Sequence, residues 1–161
     1  MATRERILAA AIELFARDGY DKTGIRQLGA HLDMTSASLY YHFHNKEEIL
    51  AALANDMCAK IEQIQATKPK QVLADYLDVV CANMSTMAVL ESSMAALRTL
   101  DVAERMLLAM NRLAAEVAPP ENRIRAVAAL GMLTSMPVRV PESAESPGRE
   151  QLLKAAVAAV G

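Results

Sequence analysis

Apolar residues recur along this chain at spacings of three and four, the period of an α-helix rather than of a strand. Ile7, Leu8, Ala11, Ile12 and Phe15 form one such stripe, opened at Thr3 and stopped at Asp18-Gly19, where Gly19 suits the left-handed position that ends a helix. Two short segments follow. Thr23 to about Leu32 carries Ile25, Leu28 and Leu32, with Thr23 as its cap. After a break at Asp33-Met34, Thr35 caps a second segment carrying Leu39 and Phe43. Asn45 with Glu48 has the spacing of a capping box and opens a long helix through Leu50, Leu53, Met57, Ile61 and Ile64 to Lys68-Pro69. Pro69, at home in a first helical turn, starts a helix marked by Leu73, Leu77, Val80, Met84 and Met87.

A short helix is expected over 91–99. Asp101 and Glu104 repeat the capping-box spacing ahead of Val102, Met106, Met110, Leu113 and Val117, and Pro119-Pro120 ends that helix. Ile124, Val127, Leu130 and Leu133 mark another, to about Met136. A polar loop with Pro137, Pro141 and Pro147 separates it from a last helix over about Arg149 to Val160. The pattern predicts an all-α chain of about nine helices: a three-helix head over residues 1–46 and a helical bundle over 47–161.

Composition supports this. Thirty of the 161 residues are Ala, ten are Met, and there is no Trp. These are good helix formers, while strand-favouring residues are scarce. A hydrophobic share of 53% excludes a disordered chain. Two cysteines, Cys58 and Cys81, are too few for a disulfide scaffold and suit a reducing compartment. With no signal-like segment and no apolar run long enough to span a bilayer, the expectation is a soluble, cytoplasmic protein.

Two short helices joined by a tight turn form a helix-turn-helix, whose second helix can enter a major groove. Here the sequence resembles the TetR family of transcriptional repressors. The residues that carry the resemblance are Arg6-Ile7-Leu8-Ala9-Ala10-Ala11, Leu14-Phe15, Gly19-Tyr20, Thr23, Ile25-Arg26 and Leu28. Above all they are Leu39-Tyr40-Tyr41-His42-Phe43 with Lys46-Glu47-Glu48-Ile49-Leu50. The likeness is sharp over about 48 residues and continues beyond residue 50 only as a helical pattern. Gly29 stands where the family often has Ala, and Ala37 where it often has Gly.

The resemblance implies backbone phosphate contacts from Thr23, Thr35 and Lys46 at helix N-termini, and from Tyr41 and His42. It places Ser36, Ala37 and Ser38, with Tyr40, at base edges, and Gly24 where the backbone approaches the duplex. Leu39 and Phe43 are core. The short side chains offer a hydroxyl or a methyl, without the bidentate contacts of Arg, Asn or Gln. The net charge of −2 gives no sign of nucleic-acid binding, but residues 22–46 carry Lys22, Arg26 and Lys46 against Asp33 alone. That weakly basic patch would need two subunits on a palindromic site.

Seven of the ten Met lie beyond residue 80. Met side chains suit either an irregular core or an adaptable pocket, and both readings stand. The resemblance implies a ligand pocket in the second domain, for which Tyr76, Asn83, Met84, Met87, Met94, Arg98, Met106 and Met110 are the candidates, with a small apolar effector. It also implies a homodimer through the last two long helices, with Ala126, Ala129, Leu130, Leu133, Ala155, Val157 and Val160 as candidate interface residues.

The leading reading is a dimeric repressor released from its operator by that effector, with no cofactor and no metal. The spacing of His42 and His44 does not bring the two onto one helix face. One alternative is a DNA-binding regulator without a pocket, controlled by a partner protein or by oxidation of Cys58 or Cys81. A remote one is an all-helical enzyme, for which the sequence shows no Ser-His-Asp set, HExxH or Gly-rich phosphate loop.

Overall fold

Gly19 ends the first helix for the reason its position suggests. In the computed structural model, which describes residues 3–139 and 148–161, α1 (Thr3–Asp18) is followed by Gly19 at φ +89°. The Gly19 amide donates to the Phe15 carbonyl at 3.0 Å, closing the last turn. Next come α2 (Ile25–His31) and α3 (Ser36–His42). The tight turn between them places Asp33 at φ 52°, a conformation Asp tolerates better than most residues. The Met34 amide donates to the Gly29 carbonyl at 2.9 Å, and a Cβ on Gly29 would lie 3.2 Å from the Met34 carbonyl oxygen. Glycine at 29 therefore lets the turn close tightly.

Thr23 does not cap α2. That helix begins at Ile25 with Gly24 at the N-cap and no side-chain bond there. Thr23 is instead 1% exposed, and its hydroxyl donates to the Gly19 carbonyl at 2.9 Å, with the Leu14 carbonyl at 3.4 Å. With its amide also donating to the Gly19 carbonyl at 3.2 Å, Thr23 holds the turn after α1 closed. Thr23→Val keeps the shape and removes the donor, so it is expected to cost about 1–3 kcal/mol. Urea unfolding checks this; an unchanged midpoint would contradict the role.

The remaining helices are α4 (Lys46–Glu62), α5 (Pro69–Ala82), α6 (Met84–Ser92), α7 (Met94–Leu97), α8 (Val102–Val117), α9 (Arg123–Arg139) and α10 (Arg149–Val160). The described residues hold no strand. α4 opens as its sequence predicts: the Glu48 amide donates to Asn45 Oδ1 at 2.8 Å. The return bond goes to the amide of His44 rather than Asn45, at 2.9 Å from Glu48 Oε2. α4 ends at Glu62, short of Lys68, and Arg112 of α8 holds that end, donating to the carbonyl of Ile61 in the last turn at 2.8 Å and to that of Ile64 just beyond it at 3.1 Å. Asp101 makes no capping bond, and its backbone is already helical.

The single helix expected through Leu77, Val80, Met84 and Met87 is two, α5 and α6, bent by 86°. The break falls at Asn83 (φ −128°, ψ 30°), whose side-chain amide donates to the Val79 carbonyl at 2.7 Å. Lys60 Nζ donates to its side-chain oxygen at 2.8 Å. An Asn side chain that bonds its own backbone competes with the helix ladder. The apolar period runs through the break and so hides it.

One continuous core runs from the head into the body. α9 packs on α5, α8 and α10, and this corrects the expected interface. Ala126, Ala129, Leu130 and Leu133 are fully buried in the chain's own core, where a partner cannot reach them. Val157 and Val160 are half-buried against the same core. Helical period shows which residues share an apolar face, not what covers it. The outward face of α9 carries Ile124, 86% exposed, with Val127, Ala128 and Gly131; Ala155 of α10 is exposed as well. α9 continues to Arg139, past Pro137, and the rest of the expected loop, 140–147, lies outside the described residues. Among the described residues no single helix is long and apolar enough to cross a membrane.

Candidate nucleic-acid interface and the cavity behind it

Leu39 and Phe43 anchor α3 in the core, and nearly everything else on it faces outward. The Thr35 hydroxyl accepts from the Ser38 amide at 3.2 Å, the cap the sequence predicts. Thr35, Ser36, Ala37, Ser38 and Tyr40 are exposed, and Tyr41 is 85% exposed. His42 is half-buried, with its ring edge-on to Tyr41 at 5.3 Å. Gly24, Lys22 and Arg26 are exposed beside this face. Large aromatic side chains left in water mark a surface that meets something else.

Thr23 belongs to the scaffold under this face, since both its amide and its hydroxyl are spent on main-chain carbonyls. Lys46 is also tied down. Its Nζ donates to the carbonyls of Tyr20 at 3.0 Å and Asp21 at 3.3 Å, and lies 4.3 Å above the Tyr20 ring. Tyr20 donates to Glu47 Oε1 at 3.3 Å, and burial together with the Glu47 charge holds its phenol protonated. The first turn of α4 is thus bolted to the α1–α2 turn. At the start of α2, Gln27 donates to Asp18 Oδ2 at 2.7 Å. The Arg17 hydrogen bond holds the Asp18 carboxyl below its ordinary range.

Arg4 is a residue that sequence reasoning missed. Its guanidinium lies 5.0 Å from the centre of the Phe43 ring, which puts a positive charge at the end of α3. No local pattern announces it, because the contact joins opposite ends of the head.

Behind the head, α4, α5, α6, α7, α8 and α9 line a cavity of about 290 Å3. Of the expected ligand residues, Tyr76, Met87, Met94, Met106 and Met110 come together on its wall. Asn83, Met84 and Arg98 do not line it: Asn83 is committed to the α5–α6 break and to Lys60, while Met84 and Arg98 face solvent. The break at Asn83 re-aims everything after it. α4 adds Met57 and Cys58 to the wall. The polar residues Glu91, Thr134 and Ser135 were missed, although adjacent hydroxyls in an otherwise apolar helix are a usable signal.

The hydroxyls on this wall are engaged. Thr134 donates to the Leu130 carbonyl at 2.9 Å, and the Tyr76 hydroxyl sits 2.6 Å from Thr134 Oγ1. Ser135 donates to Glu91 Oε1 at 3.0 Å. Cys58 is buried, and that burial pushes its thiol up. In folded protein at neutral pH, iodoacetamide should label the exposed Cys81 about tenfold or more faster than Cys58. Equal rates, read by mass spectrometry of peptides, would contradict the buried placement.

One helix joins face and cavity. α4 supplies Ala54, Met57, Cys58 and Ile61 to the wall, and its first turn holds the head through Lys46. α8 grips the far end of α4: Arg105 bonds Glu62 at 2.9 and 2.6 Å and Asn55 at 2.7 Å.

Residues 7–53 match the family model for bacterial regulatory proteins of the tetR family. Over 46 residues the chain is 44% identical to the biofilm-operon negative transcriptional regulator IcaR of Staphylococcus epidermidis, covering 29% of this chain and 25% of that protein. Over 73 residues it is 32% identical to the A-factor receptor protein of Streptomyces griseus, covering 45% and 26%. The matched stretch thus spans about a quarter of the length of these relatives. Solved structures extend the likeness to the whole fold. A tetR-family regulatory protein from Rhodococcus superposes with a TM-score of 0.75 at 23% identity, covering 100% of this chain and 98% of that one. A transcriptional regulator from Aquifex aeolicus does so with 0.72 at 18%, covering 98% and 96%. The relatives are regulators, not enzymes. Residues 7–53 thus match the DNA-binding head of the tetR family, and the helices beyond them share the fold of solved tetR-family regulators.

Proposed function

We propose that the chain is a cytoplasmic transcriptional repressor that binds a palindromic operator as a homodimer and releases it when a small apolar ligand enters the cavity. The observation that carries this reading is the exposed α3, anchored by Leu39 and Phe43 and presenting Thr35 through Ser38, Tyr40 and Tyr41 outward. Ser36, Ala37 and Ser38 face base edges, while Thr35, Tyr41, His42 and Gly24 meet the sugar-phosphate backbone, with Arg4 and Arg26 adding charge. Lys46 acts first as the bolt between α4 and the head. In this reading residues 1–46 read DNA and residues 47–161 bind ligand and partner. α4 crosses that boundary from its first turn.

The dimer forms through the outer face of α9, Ile124, Val127, Ala128 and Gly131, beside Ala155 of α10. Small residues there allow close helix packing. Light scattering at micromolar protein should give twice the chain mass; a monomer would refute the dimer. Ligand in the cavity presses on the α4 wall, and α4 carries that shift to the α1–α2 turn through Lys46. A mobility shift on DNA upstream of the chain's own gene tests the whole reading. Retarded DNA that ligand restores to free mobility supports it, and no retardation at low salt refutes it.

A further inference from the structure

Away from its polar pole at Thr134 and Ser135, much of the cavity wall is sulfur. Met57 and Cys58 of α4, Met87 of α6, Met94 of α7, and Met106 and Met110 of α8 all line it. The chain holds ten Met and two Cys, so six of its twelve sulfur atoms converge on one space. Met106 and Met110 are four residues apart and share a helix face. Arg105 sets Cys58 against that face. Its guanidinium bonds Asn55 at 2.7 Å and Glu62 at 2.9 and 2.6 Å, about one turn before Cys58 and one turn after it. Cys58 therefore sits at the level of α8 where Met106 follows Arg105, and the Arg105 charge is felt at its thiol. Met94, 37% exposed, and the exposed Gly131 mark the mouth of the cavity.

We infer that the cavity binds a soft monovalent cation, Cu(I), between the Cys58 thiolate and the thioethers of Met106 and Met110. Thiolate and thioether sulfur together select this ion. Calcium asks for oxygen ligands and structural zinc for a full set of Cys and His. Among the described residues no group of three or more His, Cys, Asp or Glu could hold either. The Cys58 proton leaves to solvent as the metal–sulfur bond forms, and the ion keeps its oxidation state. A monovalent ion on one thiolate is neutral overall, so the sulfur set adds no net charge to the apolar wall. Met side chains turn about three bonds and can close on an ion from a wider resting space, and Met94 offers a first ligand at the mouth. The inference stands apart from the proposed apolar effector: it concerns what the sulfur atoms bind, not what releases DNA.

Competition with the coloured Cu(I) complex of bicinchoninate, in the absence of oxygen, tests this on the full chain carrying Cys81→Ser, which removes the exposed thiol. That protein should withdraw about one equivalent of Cu(I) per chain, read as loss of the colour. Cys58→Ala, and Met106→Leu with Met110→Leu, should each weaken binding about tenfold or more, since even groups that only orient metal ligands are worth that much. Leu in place of Met keeps volume and apolarity, so Met residues that only fill a core would leave Cu(I) binding unchanged when replaced. Met84→Leu, outside the cavity, should bind as tightly as its parent. Thermal melting of each variant confirms that it is folded. No withdrawal of Cu(I) by the Cys81→Ser protein overturns the inference, and so does withdrawal that Cys58→Ala and the Leu pair leave unchanged. Either result leaves the apolar effector to be judged by release of DNA.

Discussion

Phe15→Ala should lower the unfolding free energy by about 3–5 kcal/mol, the cost of emptying a large aromatic site in a packed core. Phe15 is 1% exposed and sits edge-on to Tyr20, with ring centres 5.2 Å apart. Tyr20 in turn carries the Lys46 ammonium over its ring and accepts that ammonium at its carbonyl. Removing Phe15 therefore loosens α1, the turn after it and the start of α4 together. Chemical denaturation followed by circular dichroism measures the loss. A loss below about 1 kcal/mol would mean that the ring is not part of a close-packed centre. A second consequence is loss of DNA binding at temperatures where the rest of the chain is still folded, because α3 stands on the same core.

Tyr41→Ala should have the opposite profile. At 85% exposed, the side chain contributes little to stability, and melting should move hardly at all. Its proposed work is on a phosphate. Two subunits would lose two contacts, and the slope of log affinity against log salt should fall by roughly two. The loss should be similar on every sequence. Ser36→Ala and Ser38→Ala should instead change which sequences are preferred and leave the slope almost unchanged. A Tyr41→Ala protein with wild-type affinity and slope would remove Tyr41 from the interface.

The head was legible because its signals are local. Gly19 and Asp33 declare left-handed turns, Asn45 and Thr35 declare caps, and the Leu39–Phe43 block fixes the spacing of the motif. Thr23 misled because Thr is a good cap; whether its hydroxyl faces the next helix or the previous one is decided by three-dimensional packing. The body was legible as helices but not as surfaces. Asn83 breaks a helix that hydrophobic period runs straight through. Ala126, Ala129, Leu130 and Leu133 were read as an interface because a buried Ala stripe looks the same whether its cover is the same chain or another. Five of the proposed ligand residues, Tyr76, Met87, Met94, Met106 and Met110, do share a wall. The polar pole beside them depends on where α6 and α9 cross, which no periodicity encodes.

Selection of bound duplexes from a random pool by the purified full chain bears most directly on the claim that this chain reads DNA through α3. Enrichment of a two-fold symmetric site with two half-sites about one helical turn apart, lost in Tyr41→Ala and altered in Ser38→Ala, is the expected result. A pool that stays random after repeated rounds at low salt would contradict it.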